Sequence, residues 1–594
     1  MGAVKGHRRD AWWVALAAFA AWAPCVVAAL AYVPLASPYV QGGDVGEFAT
    51  LFAKGGVAHP PGYPLFVLIL RAVSWIPARS AAHGAALVTA AIQIGAVAML
   101  ARACRSWGAS AQASALAALV YALSESAWAL ATHAEVFALN ALLAAAIANA
   151  AGPHARATGW PRVVLLGLLA GLGLSHHTTI LAMGPIGVVG VARGLRETRN
   201  RGRAAIYGAL AFAGGLTPYG YMLWRSHDPA TGWVWGDPMT LASLLRHARR
   251  TEYWELAIGD GRGAVSYGAH LRALAEHLAQ DLAWLLAPVA LVGVVALFAR
   301  ARRERDVPFD AIALVASFGL AGPLFLFLMS RGIGNVPISV LGVSGRIVAR
   351  FYLLPFLLAC VPLALGIDAT LARVGRARSI ACGAVASAVA LVAIFVARPR
   401  VVEDGRSIVE TYLVDTLQSL PPNAVLVGTG DHRTFGFAYV QGVLGVRPDV
   451  VWIDAHLVHT DWYRSRFRRA GAQPLPSEAT ALVAHLAAGD RPLFLTNDVD
   501  LETRVTLPTY AIGTTLRVLP RESSLPQASE IEKLNDAVAL HLHRAHTPPT
   551  DRWGWAADAD DAYARAWLQL AGRFRSEGDT ERANACVARA NARP

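Results

Sequence analysis

The residues best suited to chemistry lie in one stretch, positions 44 to 64, which reads DVGEFATLFAKGGVAHPPGYP. Asp44 and Glu47 are three residues apart, so both carboxylates project to one side if the segment is helical, as its apolar spacing predicts. We expect the opposite side of this helix to face lipid. A carboxylate held beside a substrate hydroxyl can act as a general base. The alternative for Asp44 is a structural N-cap, which bonds the first N–H groups of a helix.

A rigid turn follows this predicted helix. Lys54-Gly55-Gly56 should end the helix, and the segment HPPGYP should hold His59 in a fixed position because proline restricts the backbone. Glu47 and His59 therefore accompany Asp44 as predicted catalytic residues, and we expect them to orient it.

Composition places this stretch in a membrane protein. Of the 594 residues, 55% are hydrophobic and only 16% are charged, and the mean hydropathy is +0.40. That is more apolar surface than a soluble fold of this size can bury. The net charge of +12 does not indicate nucleic acid, because the arginines cluster between apolar segments instead of on one soluble face.

Eleven apolar segments predict membrane crossings. They lie at about 11–36, 83–101, 110–124, 136–151, 162–175, 178–193, 204–223, 281–299, 308–330, 351–372 and 379–397. The segment 65–76 is shorter, carries Arg71 and is expected to lie along the bilayer surface. Arginine and lysine concentrate at alternate segment ends, whereas the turns at 124–135 and 175–179 have none. This bias predicts a multi-pass protein of the cell (inner) membrane, with a cytoplasmic N-terminus and with Asp44 and the C-terminal region outside.

Several ionisable residues then lie at the outer ends of helices, on the same side as Asp44. Such groups are costly inside a bilayer, so their clustering predicts a water-filled cavity. For the histidines, the alternative is that each satisfies a neighbouring backbone carbonyl. We assign the cavity or the acceptor site to Glu135, His133, Tyr63, Trp235 and Asp237.

Arginines in the outer loop 331–350 run against the charge bias and suit a phosphate, because the guanidinium group offers paired hydrogen bonds. Lipid headgroups are the alternative partner. We assign the binding of a phosphate group to Arg346, Arg350, His176 and His177. Adjacent histidines on a helix point about 100° apart, and the five cysteines are scattered, so no metal site is predicted.

Beyond position 398 the composition is that of a soluble domain. NAVLVGTGD, RPDVVWIDA and RPLFLTND predict short strands, and the segments between them have helical spacing. The loop GTGDHRT lacks the residues of a nucleotide-binding loop. We predict a transmembrane domain at 1–398, an extracytoplasmic α/β domain at 399–525 and a helical segment at 526–594 that resembles one tetratricopeptide repeat.

A set of motifs carries a family resemblance: DVGEF, GVAHPPGYPLF, HAEVFALN, GLGLSHHTTIL, WGDP and RFYLLP. In this order they resemble the blocks of a membrane family once described as a domain of unknown function, whose animal members are protein O-mannosyltransferases. That family belongs to the GT-C class of glycosyltransferases that use lipid-phosphate sugars. The resemblance implies a mainly α-helical GT-C-like bundle of about 11 helices, with Asp44 as the acidic residue of the first outer loop that serves as general base.

The predicted function is therefore transfer of a hexose such as mannose from a polyprenyl-phosphate donor, with inversion, to an extracytoplasmic protein or glycan. No cofactor is required by the sequence, although a divalent cation (Mg or Mn) is compatible with it. The other partner is the lipid bilayer, and nucleic acid is not expected. The alternative is a transporter or flippase with an outward-facing carboxylate and histidine cavity, in which these groups relay protons.

Overall fold

The structure is a computed structural model that describes residues 22–228, 232–251, 267–301, 307–332, 347–372, 377–497, 505–550 and 554–593. The chain is mainly helical, with one small sheet near its C-terminus. This confirms the predicted fold class of an apolar helical bundle followed by a small α/β domain and a helical hairpin.

The first part of the chain is built from helices alone. Helices α1 to α12 are Trp22–Leu35, Val45–Lys54, Pro64–Val73, Ala81–Ser106, Ala111–Leu123, Glu125–Ala131, Phe137–Ala151, Gly159–Leu174, Gly184–Arg196, Arg201–Gly215, Pro218–Ser226 and Leu241–Ala248. Helices α13 to α20 are Tyr267–Asp281, Ala287–Ala301, Val307–Gly319, Phe325–Gly332, Leu353–Leu371, Arg378–Val392, Arg398–Asp404 and Ile408–Gln418.

Each of the eleven predicted crossing segments contains a helix among the described residues. Five helical segments are long and apolar enough to cross a membrane, and a sixth does so if the bent pair α5 and α6 counts as one. The five are Ala81–Ser106, Thr178–Arg196, Phe309–Leu328, Ile347–Leu371 and Ile380–Gln418. The protein is therefore a multi-pass membrane protein.

The turn predicted at 124–135 is in fact partly helical. Helix α6 occupies Glu125–Ala131 and bends by 63° from α5. The side chain of Ser124 accepts a hydrogen bond from the backbone N–H of Ala127 at 3.2 Å, which starts the new helix.

Helix α2 carries the candidate catalytic stretch and ends at Lys54, as predicted, where Gly55 takes a positive φ of 72°. The expectation that one side of α2 faces lipid is wrong, because every residue from Val45 to Phe52 is buried. Helix α4 packs against α2, and so does a helix of the C-terminal domain. Arg71 of α3 donates from Nη1 to the carbonyl oxygens of Phe52 and Ala53, which lack partners at the end of a helix.

The α/β domain has five strands, β1 to β5, at Val425–Gly428, Val451–Asp454, Leu493–Thr496, Thr509–Ile512 and Thr515–Val518. Helices α21 (Asp431–Gly442), α22 (Asp461–Arg469) and α23 (Ala479–Ala487) separate the first three strands. The sheet order is β2-β1-β3-β5-β4, in which β1 pairs in parallel with β2 and β3 and the last two strands are antiparallel. The three predicted strands are confirmed, and the hairpin of β4 and β5 is additional.

Three helices close the chain: α24 (Ala528–Ala539), α25 (Trp555–Ser576) and α26 (Thr580–Asn591). Helices α25 and α26 form the hairpin expected from the repeat-like sequence, and α25 also packs on α20 and β4. The first residue of α25, Trp555, reaches the loop before α2, where its ring lies against Gly42 and Gly43. The C-terminal region therefore touches the candidate catalytic stretch directly.

Candidate active site

Asp44 occupies the N-cap position of α2, but its side chain makes no capping hydrogen bond. Its Oδ2 atom instead accepts a hydrogen bond from Nη1 of Arg350 at 3.2 Å. The structure therefore favours a polar site over the structural N-cap alternative for this carboxylate.

Arg350 joins two acidic residues from distant parts of the chain. The same Nη1 atom donates to Oε1 of Glu135 at 3.0 Å, and the guanidinium carbon lies 5.6 Å from the ring centroid of Phe137 and 5.9 Å from that of Trp555. The Nε atom of Arg350 is buried and has no hydrogen-bond partner among the described residues. An unpaired buried donor is costly, so this atom is available to an oxygen of a bound group.

The two carboxylates beside Arg350 differ in their electrostatics. Burial alone would raise the pKa of Asp44, but the attraction of Arg350 and His59 outweighs it, so the pKa of Asp44 is lowered. Burial, reinforced by repulsion from Asp44 and opposed by Arg350, raises the pKa of Glu135 to about 7. Asp44 is therefore ionised at neutral pH, whereas Glu135 titrates close to it.

Glu47 and His59 form a buried pair one helical turn further on. Nδ1–H of His59 donates to Oε2 of Glu47 at 2.6 Å, and the backbone N–H of His59 donates to Oε1 at 2.9 Å. The indole N–H of Trp233 also donates to Oε1, at 3.1 Å. Both oxygens of Glu47 are thus occupied, which fits an orienting role better than that of a base.

His59 links this pair to the surrounding aromatic residues. Its Nε2 atom lies 3.3 Å from the hydroxyl oxygen of Tyr63, and its ring stacks on Phe435 at a centroid distance of 5.3 Å. Burial would lower the pKa of His59, but Glu47 and then Asp44 oppose it, so the pKa is raised. The structure thus links Glu47, His59 and Tyr63 by contacts, and Asp44, Arg350 and Glu135 likewise. The roles assigned to these residues stay predictions.

Two residues of this cluster, Glu135 and Arg350, line a cavity of about 590 Å³. Trp555 lines it as well. Most of the remaining wall is apolar and comes from α5, α18 and the adjoining helical segment, through Val120, Leu123, Val389, Val392 and Val396. At another part of the lining, exposed Arg400 pairs with Glu125. The lining therefore combines apolar side chains with charged groups, among them Glu135 and Arg350.

The three predicted histidines bond mainly to backbone groups and to a threonine. His133 lies 2.9 Å from the carbonyl oxygen of Ala129 through Nδ1 and also lines the cavity. Nε2 of His176 bonds the carbonyl oxygen of Val136 at 2.8 Å, and burial lowers the pKa of His176 to about 4. His133 and His176 thus bond backbone carbonyl groups, which is the alternative to a role in binding a substrate.

His177 is likewise buried, and its Nδ1 atom lies 2.8 Å from the hydroxyl of Thr179. Burial, with repulsion from His176, holds its pKa well below the ordinary value. A neutral imidazole attracts phosphate weakly, so the donor-binding role of the two adjacent histidines stays a prediction.

Trp235 and Asp237 do not line this cavity. The Trp235 ring centroid is 5.5 Å from that of Phe435 and 5.3 Å from that of Trp462 in α22. Asp237 forms an ion pair with Arg469 at the end of α22. This pair links the chain around Asp237 to the α/β domain. Their acceptor role also stays a prediction.

Arg346 lies outside the described residues. Within the described ranges, no group of three or more histidine, cysteine or acidic side chains is arranged to hold a metal ion.

Sequence analysis did not single out Phe435 and Trp555, which come from the C-terminal region and contact His59 and Arg350. No local signal marks them, since only the packing of α21 and α25 against α2 brings them there.

Two family models match the chain. The model for the protein O-mannosyl-transferase TMEM260 N-terminal domain matches residues 44–199, beginning at Asp44, and the model for TMEM260-associated domain 2 matches residues 410–534. These matches confirm the predicted resemblance to the protein O-mannosyltransferase family.

Curated relatives bear the same description. The chain is 27% identical over 443 residues to protein O-mannosyl-transferase TMEM260 of Mus musculus, over 72% of this chain and 62% of that protein. It is 22% identical over 541 residues to the Dictyostelium discoideum protein of that description, over 82% of this chain and 65% of that protein. The chain thus spans less than two thirds of the length of these relatives.

Among solved structures, ArnT from Cupriavidus metallidurans in the apo state overlaps with a TM-score of 0.49 at 14% identity, over 87% of this chain and all (100%) of that one. An oligosaccharyltransferase from Archaeoglobus fulgidus overlaps with a TM-score of 0.42 at 12% identity, over 95% of this chain and 83% of that one. These overlaps are loose, so the function is inferred from the site and the family matches.

Proposed function

We propose that this chain is a membrane glycosyltransferase of the GT-C class, which transfers a hexose such as mannose from a polyprenyl-phosphate donor to an extracytoplasmic hydroxyl group. The family matches supply the reaction class, because both family models carry the TMEM260 name and one is described as a protein O-mannosyl-transferase. The acceptor in this proposal is a Ser/Thr side chain of a protein or a hydroxyl of an envelope glycan.

One observation carries the proposal. The Asp44 carboxylate, free of any capping bond, lies 3.2 Å from the guanidinium of Arg350, which lines a cavity with more apolar than polar surface. A polyprenyl-phosphate sugar has the same division into a charged head and a long apolar tail. The cavity therefore suits this donor, with its phosphate at Arg350.

Arg350 has donors to spare for this phosphate. A single nitrogen, Nη1, serves both Asp44 and Glu135, and the buried Nε has no partner among the described residues. A planar guanidinium that keeps its acidic neighbours while offering further N–H groups can hold a phosphate oxygen by charge-assisted hydrogen bonds.

The chemical step needs one base and a stabilised leaving group. The acceptor oxygen attacks the anomeric carbon of the sugar while its proton passes to Asp44. The bond between that carbon and the phosphate oxygen breaks, and polyprenyl phosphate leaves with an added negative charge. Arg350 stabilises this charge. Attack from the face opposite the phosphate inverts the anomeric configuration.

Sharing Arg350 couples donor binding to the basicity of Asp44. In the empty site the guanidinium lowers the pKa of Asp44, which keeps the carboxylate charged but makes it a weaker base. A phosphate at Arg350 offsets part of that positive charge. The pKa of Asp44 then rises, so the base strengthens when the donor is in place.

The proposed transfer of a hexose to a protein or glycan hydroxyl can be tested in cells. We expect hexose-modified Ser/Thr peptides, or a hexose-modified envelope glycan, in the mass spectra of wild-type cells and their loss when the gene is deleted. Restoring the wild-type gene should return them. Unchanged glycan spectra in the deletion strain would contradict the proposal.

A further inference from the structure

The α/β domain places the start of its helix α21 against the catalytic helix α2. A Cβ atom added to Gly46 of α2 would lie 2.6 Å from the backbone carbonyl carbon of Phe435 in α21. The two helices therefore meet backbone to backbone, at a distance that requires glycine. The position of α21 relative to Asp44 is fixed by this contact.

Asp431 is the first residue of α21, four positions before Phe435, so both project from one side of the helix. Phe435 stacks on His59. Asp431 is exposed, and it makes no hydrogen bond or ion pair to any part of the chain that the structure describes. Its strongest interaction with another charge is with His59, followed by Asp44.

Phe435, one helical turn from this carboxylate, belongs to a cluster of three aromatic residues. The rings of Trp235 and Phe435 are 5.5 Å apart, and those of Trp235 and the half-buried Trp462 are 5.3 Å apart. Trp235 is only 3% exposed to solvent. Its buried indole N–H has no hydrogen-bond partner among the described residues. A buried donor without a partner is costly, so the Trp235 N–H, in the cluster that begins one turn from the unpaired carboxylate, is a group that a polar ligand can satisfy.

This place lies apart from the donor cavity. Neither Asp431 nor the three aromatic residues line that cavity, whereas Arg350 and Glu135 do. A transferase must bring its acceptor to the base from a side that the donor leaves open, and α21 packs on α2 without lining the donor cavity.

We infer that Asp431 is an acceptor-binding residue, with which the α/β domain holds the hydroxyl-bearing acceptor beside Asp44. The neighbouring aromatic cluster offers the acceptor the half-buried ring of Trp462, since Phe435 and Trp235 are buried beneath it. This inference rests on the proposed function. A carboxylate accepts hydrogen bonds only, so it selects acceptors with N–H or O–H groups near the reacting hydroxyl. The Trp235 N–H supplies the complementary donor.

A purely structural role for Asp431 is the competing explanation. An acidic residue in the first turn of a helix interacts favourably with the helix dipole. That role predicts a small loss of stability on substitution and no effect on acceptor affinity, so kinetics separate the two explanations.

The test uses the full-length protein in lipid nanodiscs, a radiolabelled polyprenyl-phosphate mannose and a Thr-rich peptide as the probe acceptor. Asp431→Asn should raise the KM for the peptide by about ten- to a hundredfold, as expected for a lost hydrogen bond to a charged group. The KM for the donor should not change. Asp431→Glu should recover part of the loss, and Asp490→Asn, at an exposed site of the same domain, is the matched control.

Each other outcome has a distinct meaning. An unchanged peptide KM in Asp431→Asn, with or without a lower melting temperature, would overturn the inference and leave the proposed function standing. An equal rise in donor KM would also overturn it, because Asp431 would then act on the donor side. Wild-type protein that transfers no sugar to any hydroxyl acceptor would refute the proposed function itself.

Discussion

Asp44 and Arg350 are 306 positions apart in the chain, yet the carboxylate oxygen of one lies 3.2 Å from a guanidinium nitrogen of the other. This contact joins the start of α2 to the turn that leads into α17, and Glu135 joins it from the loop before α7. Three parts of the helical bundle thus converge on one cation, which is the point at which we place the donor phosphate.

Replacing Arg350 by lysine should weaken donor use without abolishing it. A lysine ammonium can keep one carboxylate paired but cannot reproduce the planar fork, so we expect a loss of about 1.5 to 3 kcal/mol, measured as a higher donor KM. Arg350→Ala should also lower stability, because it leaves two buried carboxylates without their cation.

Arg400→Ala is the matched control for Arg350, since Arg400 lines the same cavity but is exposed and pairs with Glu125. Donor KM should change little in that variant. If Arg400→Ala loses donor use while Arg350→Lys keeps it, the phosphate binds at the other end of the cavity.

Glu135 should make donor binding depend on pH. Burial raises the pKa of Glu135 to about 7, so the group gains its negative charge as the pH rises through that value and then repels the phosphate. We expect the donor KM to rise by about tenfold between pH 6 and pH 8, the effect of roughly 1.4 kcal/mol. Glu135→Gln should show a flat profile across this interval, and an equally steep profile in that variant would assign the titration to another group.

The Glu47–His59 pair should contribute stability that depends on pH in a defined direction. The pKa of His59 is raised in the folded protein above its ordinary value of 6.5. The contribution is therefore complete below pH 6.5 and is lost as the pH rises through the folded pKa. Thermal unfolding of wild type and Glu47→Gln in detergent should differ most at acidic pH. A difference that grows towards alkaline pH would contradict this assignment.

The arginine bias predicts that position 199 lies inside the cell and that the α/β domain lies outside. Single cysteines introduced at Arg199 and Ala472, both exposed, can be tested in a variant whose five native cysteines are replaced. A membrane-impermeant thiol reagent should label position 472 in intact cells and label position 199 only after the membrane is opened. Labelling of position 199 in intact cells would invert the topology.

Much of the bundle was predictable because apolar length and loop charge are local properties of a sequence. The stretch from Asp44 to Tyr63 was predictable for the same reason, since its acidic spacing and proline turn are adjacent in the chain. The role of Arg350 was predicted from its unexpected charge in an outer loop, but its two partners depend on the tertiary fold.

The contacts of the C-terminal region could not be predicted in this way. Nothing near Phe435 or Trp555 in the sequence indicates that they pack on His59 and Arg350. The exposure of α2 to lipid was wrongly expected for the same reason, because the helix that covers it comes from a separate domain. The hairpin of β4 and β5 did have a local signal, a Gly513-Thr514 turn between two β-branched segments.

Glu47→Gln is the companion to the test of Asp44, because the two acids are one helical turn apart. Both oxygens of Glu47 are bound by His59 and Trp233, so the amide should disturb the site and reduce transfer while leaving the base in place. If Glu47→Gln were inactive and Asp44→Asn active, the base would be Glu47.

The most direct test of the account is sugar transfer by purified Asp44→Asn protein supplied with polyprenyl-phosphate mannose and a hydroxyl acceptor. Asparagine keeps the size of the side chain and can still accept a hydrogen bond from Arg350, but it cannot take a proton near neutral pH. We predict that the variant folds and binds the donor lipid, but that its rate of sugar transfer falls by at least about 10²-fold. Full transferase activity in Asp44→Asn would contradict the assignment of Asp44 as the base.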